Sequence, residues 1–309
     1  MRRTLCALAV ILMTAVSLPG CGLYYRGGIK LYYREARIPA SRVLRDIPYA
    51  GASSAPKQRL NLFLPDSSAI MGWPVVMFIH GGNWDAGDRD LKVGGADVYN
   101  NVGRYLAARG IGTAVISYRL LPDVSWQTQM TDIAAAARWL GSNVATHGGD
   151  DRCTYLMGHS AGAQMAMRAG LDQQVMRDTP GVCGVIAVSG AGYDLADPRT
   201  YELGAEPEYY RRRFGGPPDW QRTASPIQFV RAGAPPFLVL YAGGETKALQ
   251  RQSQLLHDSL IRAGANSTMV VVPGESHSRI VLTLSRDGKT AGPAIVDFVS
   301  KRHTALRIR

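Results

Sequence analysis

The chain has 309 residues and a formal net charge of +11, from 35 basic and 24 acidic side chains. It shows no internal repeat and no low-complexity tract, and its length suits one α/β domain of roughly 250 residues. A basic excess can indicate nucleic acid or an anionic surface as partner, but no nucleic-acid motif appears and the N-terminal segment indicates export. We therefore interpret the charge as a solvated basic face lying near anionic lipid.

Residues 1–20 are predicted to be a cleaved signal peptide. Arg2 and Arg3 form a positive start, and residues 5–18 an apolar stretch too short to span a bilayer comfortably. The Leu-Pro-Gly-Cys sequence ending at Cys21 resembles the lipobox of bacterial lipoproteins, which implies acylation of Cys21 and anchoring in the cell envelope. Gly22 follows instead of aspartate, which favours the outer membrane over the inner one. An ordinary secretory signal or a short membrane anchor is the alternative.

Residues 21–45 are predicted to be a tether and residues 46–309 a single α/β domain. Its first half contains an edge or near-edge strand that ends at a proline, a continuous apolar strand, two helices and two further strands. In chain order these elements are strand 59–65, strand 74–80, helix 98–109, strand 113–118, helix 130–140 and strand 153–157.

The second half continues the alternation after a long interruption. Residues 190–235 have little periodicity, and because a segment of this length in a compact domain is usually functional, we predict a small cap insertion. The regular elements are strand 185–189, strand 236–241, helix 247–263, strand 267–272 and a last helix near 293–301. Strands that alternate with helices predict a mainly parallel central sheet flanked by helices, with ligands at the carboxyl ends of the strands.

A Gly-x-Ser-x-Gly pentapeptide at 158–162 lies between the strand that ends at 157 and a run of helix-forming residues. In such a strand-turn-helix unit the serine occupies a strained turn and its hydroxyl stands above the carboxyl edge of the sheet. Ser160 is therefore the candidate nucleophile.

A serine hydroxyl needs a base, most often a histidine held by a carboxylate. His277 follows the last strand, at the correct edge, and comes last in the order nucleophile, acid, base. Glu245 follows the penultimate strand and is the favoured acid, with Asp194 and Asp197, after the preceding strand, as alternatives. The other histidines lie in turns, at the opposite edge, within a helix or in the tail: His80, His147, His159, His257 and His303.

The tetrahedral oxyanion of acyl transfer needs donors that are already aimed at it. One expected donor is the backbone N–H of Ala161, directly after the nucleophile. The others are expected from Gly82 and Asn83, in a glycine turn that follows a buried strand. Trp84 is expected to pack beneath this turn or to line the pocket.

Cys153 and Cys183 open two consecutive strands and remain after Cys6 leaves with the signal. If these strands are parallel neighbours, both cysteines lie at the same edge, within reach of a disulfide that an oxidising envelope permits. Two free buried thiols are the alternative.

The motifs together resemble the α/β-hydrolase fold, and within it the esterase group that includes hormone-sensitive-lipase-like enzymes, feruloyl-esterase-like enzymes and kynurenine formamidase. The likeness covers roughly residues 48–300 and is carried by segments 80–84, 117–120, 132–140 and 158–162, by Glu245 ahead of Gln252 and Ser253, and by His277. Two positions depart from the group: Glu245 stands where aspartate is usual, and Asn83 where many relatives have a third glycine or an aromatic residue.

The resemblance implies an envelope-anchored serine carboxylic-ester hydrolase that acts on a small-molecule ester through an acyl-serine intermediate. An arylformamidase that uses the same residues and a non-catalytic envelope lipoprotein are the alternatives. We expect no cofactor and no metal site. Substrate identity, acyl-chain length and oligomeric state do not follow from the sequence.

Overall fold

The computed structural model describes residues 32–51, 54–66, 71–202, 206–216, 218–286 and 288–308. The predicted signal peptide and the lipobox cysteine Cys21 lie outside these residues. No helix in the described ranges is both long enough and apolar enough to span a membrane.

The described ranges contain an eight-stranded sheet. Its strands are β1 (Val43–Pro48), β2 (Arg59–Phe63), β3 (Val75–Ile79), β4 (Gly112–Ile116), β5 (Cys153–His159), β6 (Gly181–Val188), β7 (Phe237–Ala242) and β8 (Ser267–Val272). Their spatial order is β1-β2-β4-β3-β5-β6-β7-β8. The pairs β1–β2 and β2–β4 are antiparallel and the others are parallel. The sheet is thus mainly parallel, as expected from the alternation of strands and helices.

Helices connect the strands and cover both faces of the sheet. They are α1 (Val98–Ala107), α2 (Trp126–Asn143), α3 (Ala161–Leu171), α4 (Arg199–Glu202), α5 (Pro207–Phe214), α6 (Trp220–Ala224), α7 (Lys247–Arg262), α8 (Arg279–Leu282) and α9 (Ala291–Ile308). Two clusters of buried apolar side chains lie against the sheet, and β3 contributes Val75, Met77 and Ile79 to one and Val76 and Phe78 to the other. This explains why β3 is a continuous apolar run.

The register of the two central strands builds the site. Ile79 of β3 is paired with Gly158 of β5 in a parallel ladder. Both strands therefore end at the same height, and the glycine turn that follows β3 lies beside the serine turn that follows β5.

The sheet begins before the predicted domain boundary at 46, because β1 starts at Val43 inside the segment predicted to be a tether. The preceding residues also contact the domain: the Tyr33 hydroxyl donates to the carbonyl of Asp97 over 3.3 Å and the Ala36 N–H to Asn101 Oδ1 over 2.7 Å. The alternating apolar pattern was too weak to mark β1, since none of its residues is fully buried.

Two helices are longer than predicted. Helix α2 begins at Trp126 and not at 130, because Ser125 caps it and its Oγ accepts from the Thr128 N–H over 3.2 Å. Helix α9 continues to Ile308 and not only to 301. Between β6 and β7, the described part of the cap region contains the short helices α4, α5 and α6.

Cys153 and Cys183 form a disulfide, with their Cα atoms 5.5 Å apart. The bridge links the neighbouring strands β5 and β6 near the start of each, at the edge of the sheet opposite to Ser160. It therefore strengthens the scaffold at a distance from the serine turn.

Candidate active site

Ser160 lies in the tight turn between β5 and α3, with φ 56° and ψ −121°. Its N–H donates to the carbonyl of Val188 over 3.0 Å, which ties the turn to β6. The flanking glycines are required by space, because a Cβ at Gly158 would overlap the carbonyl of Gly162, and a Cβ at Gly162 would overlap the carbonyl of Ile79. The backbone alone therefore holds a strained serine above the sheet.

His277 reaches the serine from the loop after β8. Its Nε2 lies 2.8 Å from Ser160 Oγ and its side chain is 32% exposed. The loop is tied to the neighbouring one by the Gly244 N–H, which donates to the carbonyl of Glu275 over 2.9 Å. The imidazole is thus within proton-transfer distance of the hydroxyl.

Glu245 holds the other side of the imidazole from the turn after β7. Its Oε1 lies 2.7 Å from His277 Nδ1, and its side chain is fully buried. Because a carboxylate can only accept, Nδ1 carries the shared proton and Nε2 is left to accept from the serine hydroxyl.

The alternative acids have other partners. Asp194 Oδ1 accepts from the N–H groups of Ala196 and Asp197 over 3.0 and 3.2 Å. The Asp197 carboxylate is paired with Arg251 at 2.7 Å. The structure thus brings Glu245, and neither aspartate, to the imidazole.

The glycine turn after β3 adopts an unusual backbone. Gly82, Asn83 and Trp84 have φ values of 124°, 56° and 64°. The carbonyl of Gly82 accepts from the N–H groups of Asp85 and Ala86 over 3.2 and 2.8 Å, so the Asn83 N–H, which lies in the same peptide plane, points away from these two residues.

The turn lies against the nucleophile, since a Cβ at Gly81 would be 3.0 Å from Ser160 Cβ. Among the residues that the structure describes, the N–H groups of Gly82, Asn83 and Ala161 donate to no backbone carbonyl. Three backbone donors are therefore available next to the serine.

Trp84 packs beneath the turn. Its indole N–H donates to Gln164 Oε1 over 3.1 Å, and its ring contacts Phe214 edge-on with centroids 4.8 Å apart. Gln164 also donates to the carbonyl of Ala224 over 2.8 Å. One buried glutamine on α3 thus connects the glycine turn with the cap.

A contact that the sequence did not reveal joins the three loops of the site. The Gly81 N–H donates to the Tyr99 hydroxyl over 3.2 Å, and that hydroxyl lies 3.4 Å from His159 Nδ1. His159 Nε2 lies 2.8 Å from the carbonyl of His277 and must donate to it. Tyr99 lies on α1, and nothing near it in the sequence marks this role.

Two histidines at the ends of β3 and β5 are buried and neutral. Burial lowers the pKa of His80 to about 4, and burial together with the nearby His277 lowers the pKa of His159 to about 3. His80 Nδ1 donates to the carbonyl of Gly81 over 2.7 Å, and its ring stacks on Tyr118. Both rings are structural parts of the turns that they precede.

Within the described ranges, no three His, Cys, Asp or Glu side chains lie close enough together to hold a metal ion. The arrangement around Ser160 consists of a hydroxyl, an imidazole, a carboxylate and backbone N–H groups. This set can carry out nucleophilic acyl transfer with the side chains and backbone groups described.

The order of the strands, with a strained serine after β5, an acid after β7 and a histidine after β8, defines an α/β-hydrolase. Residues 60–260 match the BD-FAE family model, and the chain belongs to this family.

Relatives and solved structures agree with this class. The chain is 30% identical to Esterase LipC of Mycobacterium tuberculosis over 80% of its own length and 63% of that protein, and 27% identical to the isoprenylcysteine alpha-carbonyl methylesterase ICME of Arabidopsis thaliana over 79% and 58%. It spans about six-tenths of the length of these relatives. Its fold is similar to that of esterase B from Lactobacillus rhamnosis (TM-score 0.74, 22% identity, 92% and 91% coverage) and of an esterase from Pyrobaculum calidifontis (0.71, 21%, 93% and 93%).

Proposed function

We propose that this protein is a serine carboxylic-ester hydrolase that acts through an acyl-serine intermediate. The observation that carries the proposal is the continuous hydrogen-bond chain from Ser160 Oγ through His277 to Glu245, at 2.8 and 2.7 Å. The esterase names of the relatives support an ester, and not a formamide, as the substrate.

In the acylation half-reaction, Ser160 Oγ attacks the carbonyl carbon of the ester while His277 Nε2 takes the hydroxyl proton. The resulting imidazolium is stabilised by the buried carboxylate of Glu245. The N–H groups of Gly82, Asn83 and Ala161 bind the oxyanion. The imidazolium then protonates the departing alkoxide, which releases the alcohol and leaves the acyl group on Ser160.

Deacylation repeats these steps with water. His277 takes a proton from the water as its oxygen attacks the acyl carbon, and the same N–H groups bind the second oxyanion. Collapse of this intermediate returns the proton to Ser160 Oγ and releases the carboxylic acid. No other reactant is needed.

The proposal is tested by hydrolysis of a series of p-nitrophenyl esters, from acetyl to long acyl chains, with a form that lacks residues 1–21. We expect turnover that Ser160→Ala and His277→Ala each lower by at least about 10⁴-fold without loss of folding. The chain-length optimum sizes the acyl pocket. A folded wild-type protein that hydrolyses no ester but cleaves an aryl formamide would assign the amide reaction instead.

The role of the acid is tested by exchanging each carboxylate for its amide. Glu245→Gln keeps the size of the side chain but offers no carboxylate to Nδ1, and we expect kcat to fall by about 10⁴-fold. The matched variant Asp194→Asn should keep wild-type kcat because its side chain only closes a local turn. The reverse result would assign the acid to Asp194.

We also propose that Cys21 is acylated and anchors the enzyme in the cell envelope, in the outer membrane. The support is the lipobox-like sequence at the end of an export signal. In the full chain, Cys21→Ala should abolish incorporation of labelled palmitate and release the protein from the membrane fraction. Cys6→Ala, within the cleaved segment, should leave both unchanged.

A further inference from the structure

Helix α5 of the cap packs against the glycine turn. Tyr210 and Phe214, one helical turn apart, are buried against Trp84, with ring centroids 6.2 and 4.8 Å away. The adjacent pair at the same spacing, Tyr209 and Arg213, contacts the polar side of the same turn. The helix therefore contacts the turn through two neighbouring pairs of side chains, an apolar pair, Tyr210 and Phe214, and a polar pair, Tyr209 and Arg213.

Arg213 makes an unusually complete set of contacts there. Its Nε donates to the carbonyl of Asn83 over 2.8 Å, and its Nη2 donates to the carboxylate of Asp85. Its Nη1 donates to the carbonyl of Tyr209 over 3.0 Å, and the guanidinium lies 3.9 Å from the centre of the Tyr209 ring. The side chain is only 14% exposed, so the guanidinium is largely enclosed by these partners.

Tyr209 contacts the same residue of the turn from a second direction. Its hydroxyl donates to Asn83 Oδ1 over 2.7 Å. The cap thus holds both the carbonyl and the side chain of Asn83. Among the described residues, these are the only hydrogen bonds made by those two groups.

Asn83 has φ 56°, a left-handed conformation that asparagine tolerates better than most residues, and its two flanking peptide planes are held by different partners. The peptide plane before it is fixed from within the turn, where Gly82 O accepts from Asp85 and Ala86. The peptide plane after it has Arg213 as its donor. Without the cap, one side of the residue that carries an oxyanion donor would be unsupported.

We propose that Arg213 and Tyr209 are positioning residues that hold the oxyanion turn in its reactive conformation, so that the cap contributes to catalysis and not only to enclosure of the substrate. This inference rests on the proposed function of the Gly82–Asn83 turn. It assigns to the cap an effect on the chemical step that is separate from any effect on substrate binding.

The test compares arginines on one helix that have the same charge and different contacts. Arg213→Ala should lower kcat by about 10- to 100-fold and change KM by less than about twofold, because displaced donors weaken binding of the transition state more than of the ester. Arg212→Ala is the control: Arg212 is exposed, its only ion pair among the described residues is with Glu208, and its replacement should leave kcat at the wild-type value.

Tyr209→Phe removes a single hydroxyl and should lower kcat by about three- to tenfold, again with KM unchanged. Circular dichroism and thermal melting show whether Arg213→Ala folds. If it does not, Tyr209→Phe alone tests the positioning role. Both variants should also bind an alkylboronic acid more weakly, in proportion to the loss of kcat, because its tetrahedral adduct on Ser160 places an oxygen at the same donors.

An unchanged kcat in folded Arg213→Ala and Tyr209→Phe overturns the inference, as does a rise in KM at constant kcat, which would make these residues part of the substrate pocket. The proposed function is judged separately, on the wild-type protein. If the wild type shows no Ser160-dependent turnover and no labelling by a fluorophosphonate, the function itself is wrong; if it shows both, only the inference about the cap is in question.

Discussion

Two turns meet at the carboxyl edge of the sheet, and they are held in different ways. The serine turn after β5 is fixed by backbone atoms of the turn itself and of the adjacent strands β3 and β6, because Gly158 and Gly162 allow backbone contacts for which a side chain would leave no room. The glycine turn after β3 also has contacts within its own backbone, but it is held in addition by side chains from outside: Gln129 and Gln164 contact Trp84, and the cap contacts Asn83.

The two turns thus illustrate two ways of fixing a backbone conformation, one by contacts between backbone atoms and the other by contacts with side chains. The serine turn holds its strained φ of 56° through backbone contacts, so it should tolerate changes in distant side chains. The glycine turn has two consecutive residues other than glycine at positive φ and relies on side chains from α2, α3 and α5. The candidate nucleophile is therefore held by backbone contacts, whereas the proposed oxyanion donors also depend on side chains from distant segments of the chain.

The largest effect is expected where the backbone of the serine turn is blocked. In Gly162→Ala the new methyl group would overlap the carbonyl of Ile79, and neither backbone can move without breaking the register of β3 with β5. We expect little folded protein, or a loss of stability above about 3 kcal/mol with no measurable turnover. Urea unfolding and ester hydrolysis measure the two effects.

Gly181→Ala is the matched control, because a Cβ there would meet its nearest atoms at 3.5 Å, an ordinary contact. It should be close to wild type in both measurements. A stable and active Gly162→Ala variant would show that the serine turn does not depend on its backbone contacts.

The next largest effect is a pH dependence of the free energy of unfolding. It compares the two turns because a buried histidine, His80 or His159, precedes each of them. Native pKa values of about 4 for His80 and about 3 for His159 lie below the unfolded value of 6.5. Below pH 6.5 these two histidines bind protons in the unfolded chain but not in the native state. The free energy of unfolding therefore falls as the pH falls towards the native pKa values. From pH 6.5 to 5 the two histidines together should remove about 3 kcal/mol of the unfolding free energy.

Urea denaturation between pH 6.5 and 5 measures this loss, in a range above the ordinary titration of carboxylates. His80→Gln and His159→Gln should each remove about half of the pH dependence. Unequal contributions from His80 and His159 would show that one turn is more open to water than its geometry indicates.

The same contrast explains how much of the site could be predicted from the sequence. Ser160 and the glycine turn could be predicted because each lies in a segment of five residues with two glycines, at 158–162 and at 80–84. Glu245 and His277 could be placed because the order of strands fixes which loops reach the serine. The structure brings all of these groups together at the predicted edge of the sheet.

The supporting contacts could not be predicted, because they join distant segments without a local pattern. Tyr99 meets His159 across 60 positions, and Arg213 meets Asn83 across 130. Strand β1 was missed for a related reason: it is paired along one side at the edge of the sheet and buries no complete face, so its residues show no clear alternation.

The smallest effect is expected for the Tyr99 hydroxyl, which contacts both turns. Tyr99→Phe leaves the Gly81 N–H and His159 Nδ1 without their partner, in a site where water has little access. Since an unpaired buried polar group costs about 1–3 kcal/mol, we expect a loss of stability in that range. Tyr155→Phe is the control, because the buried Tyr155 hydroxyl has no hydrogen-bond partner among the described residues, and its removal should not lower stability.

Tyr99→Phe also tests whether the glycine turn and the serine turn are energetically coupled. The Tyr99 hydroxyl reaches the glycine turn at Gly81, and it reaches the base loop through His159, which donates to the carbonyl of His277. If the turns act together, Tyr99→Phe and Tyr209→Phe combined should lower kcat by a factor that differs from the product of the single effects. If the effects on kcat multiply, the two turns contribute independently. The position of Ser160 would then not depend on the contacts that hold the glycine turn.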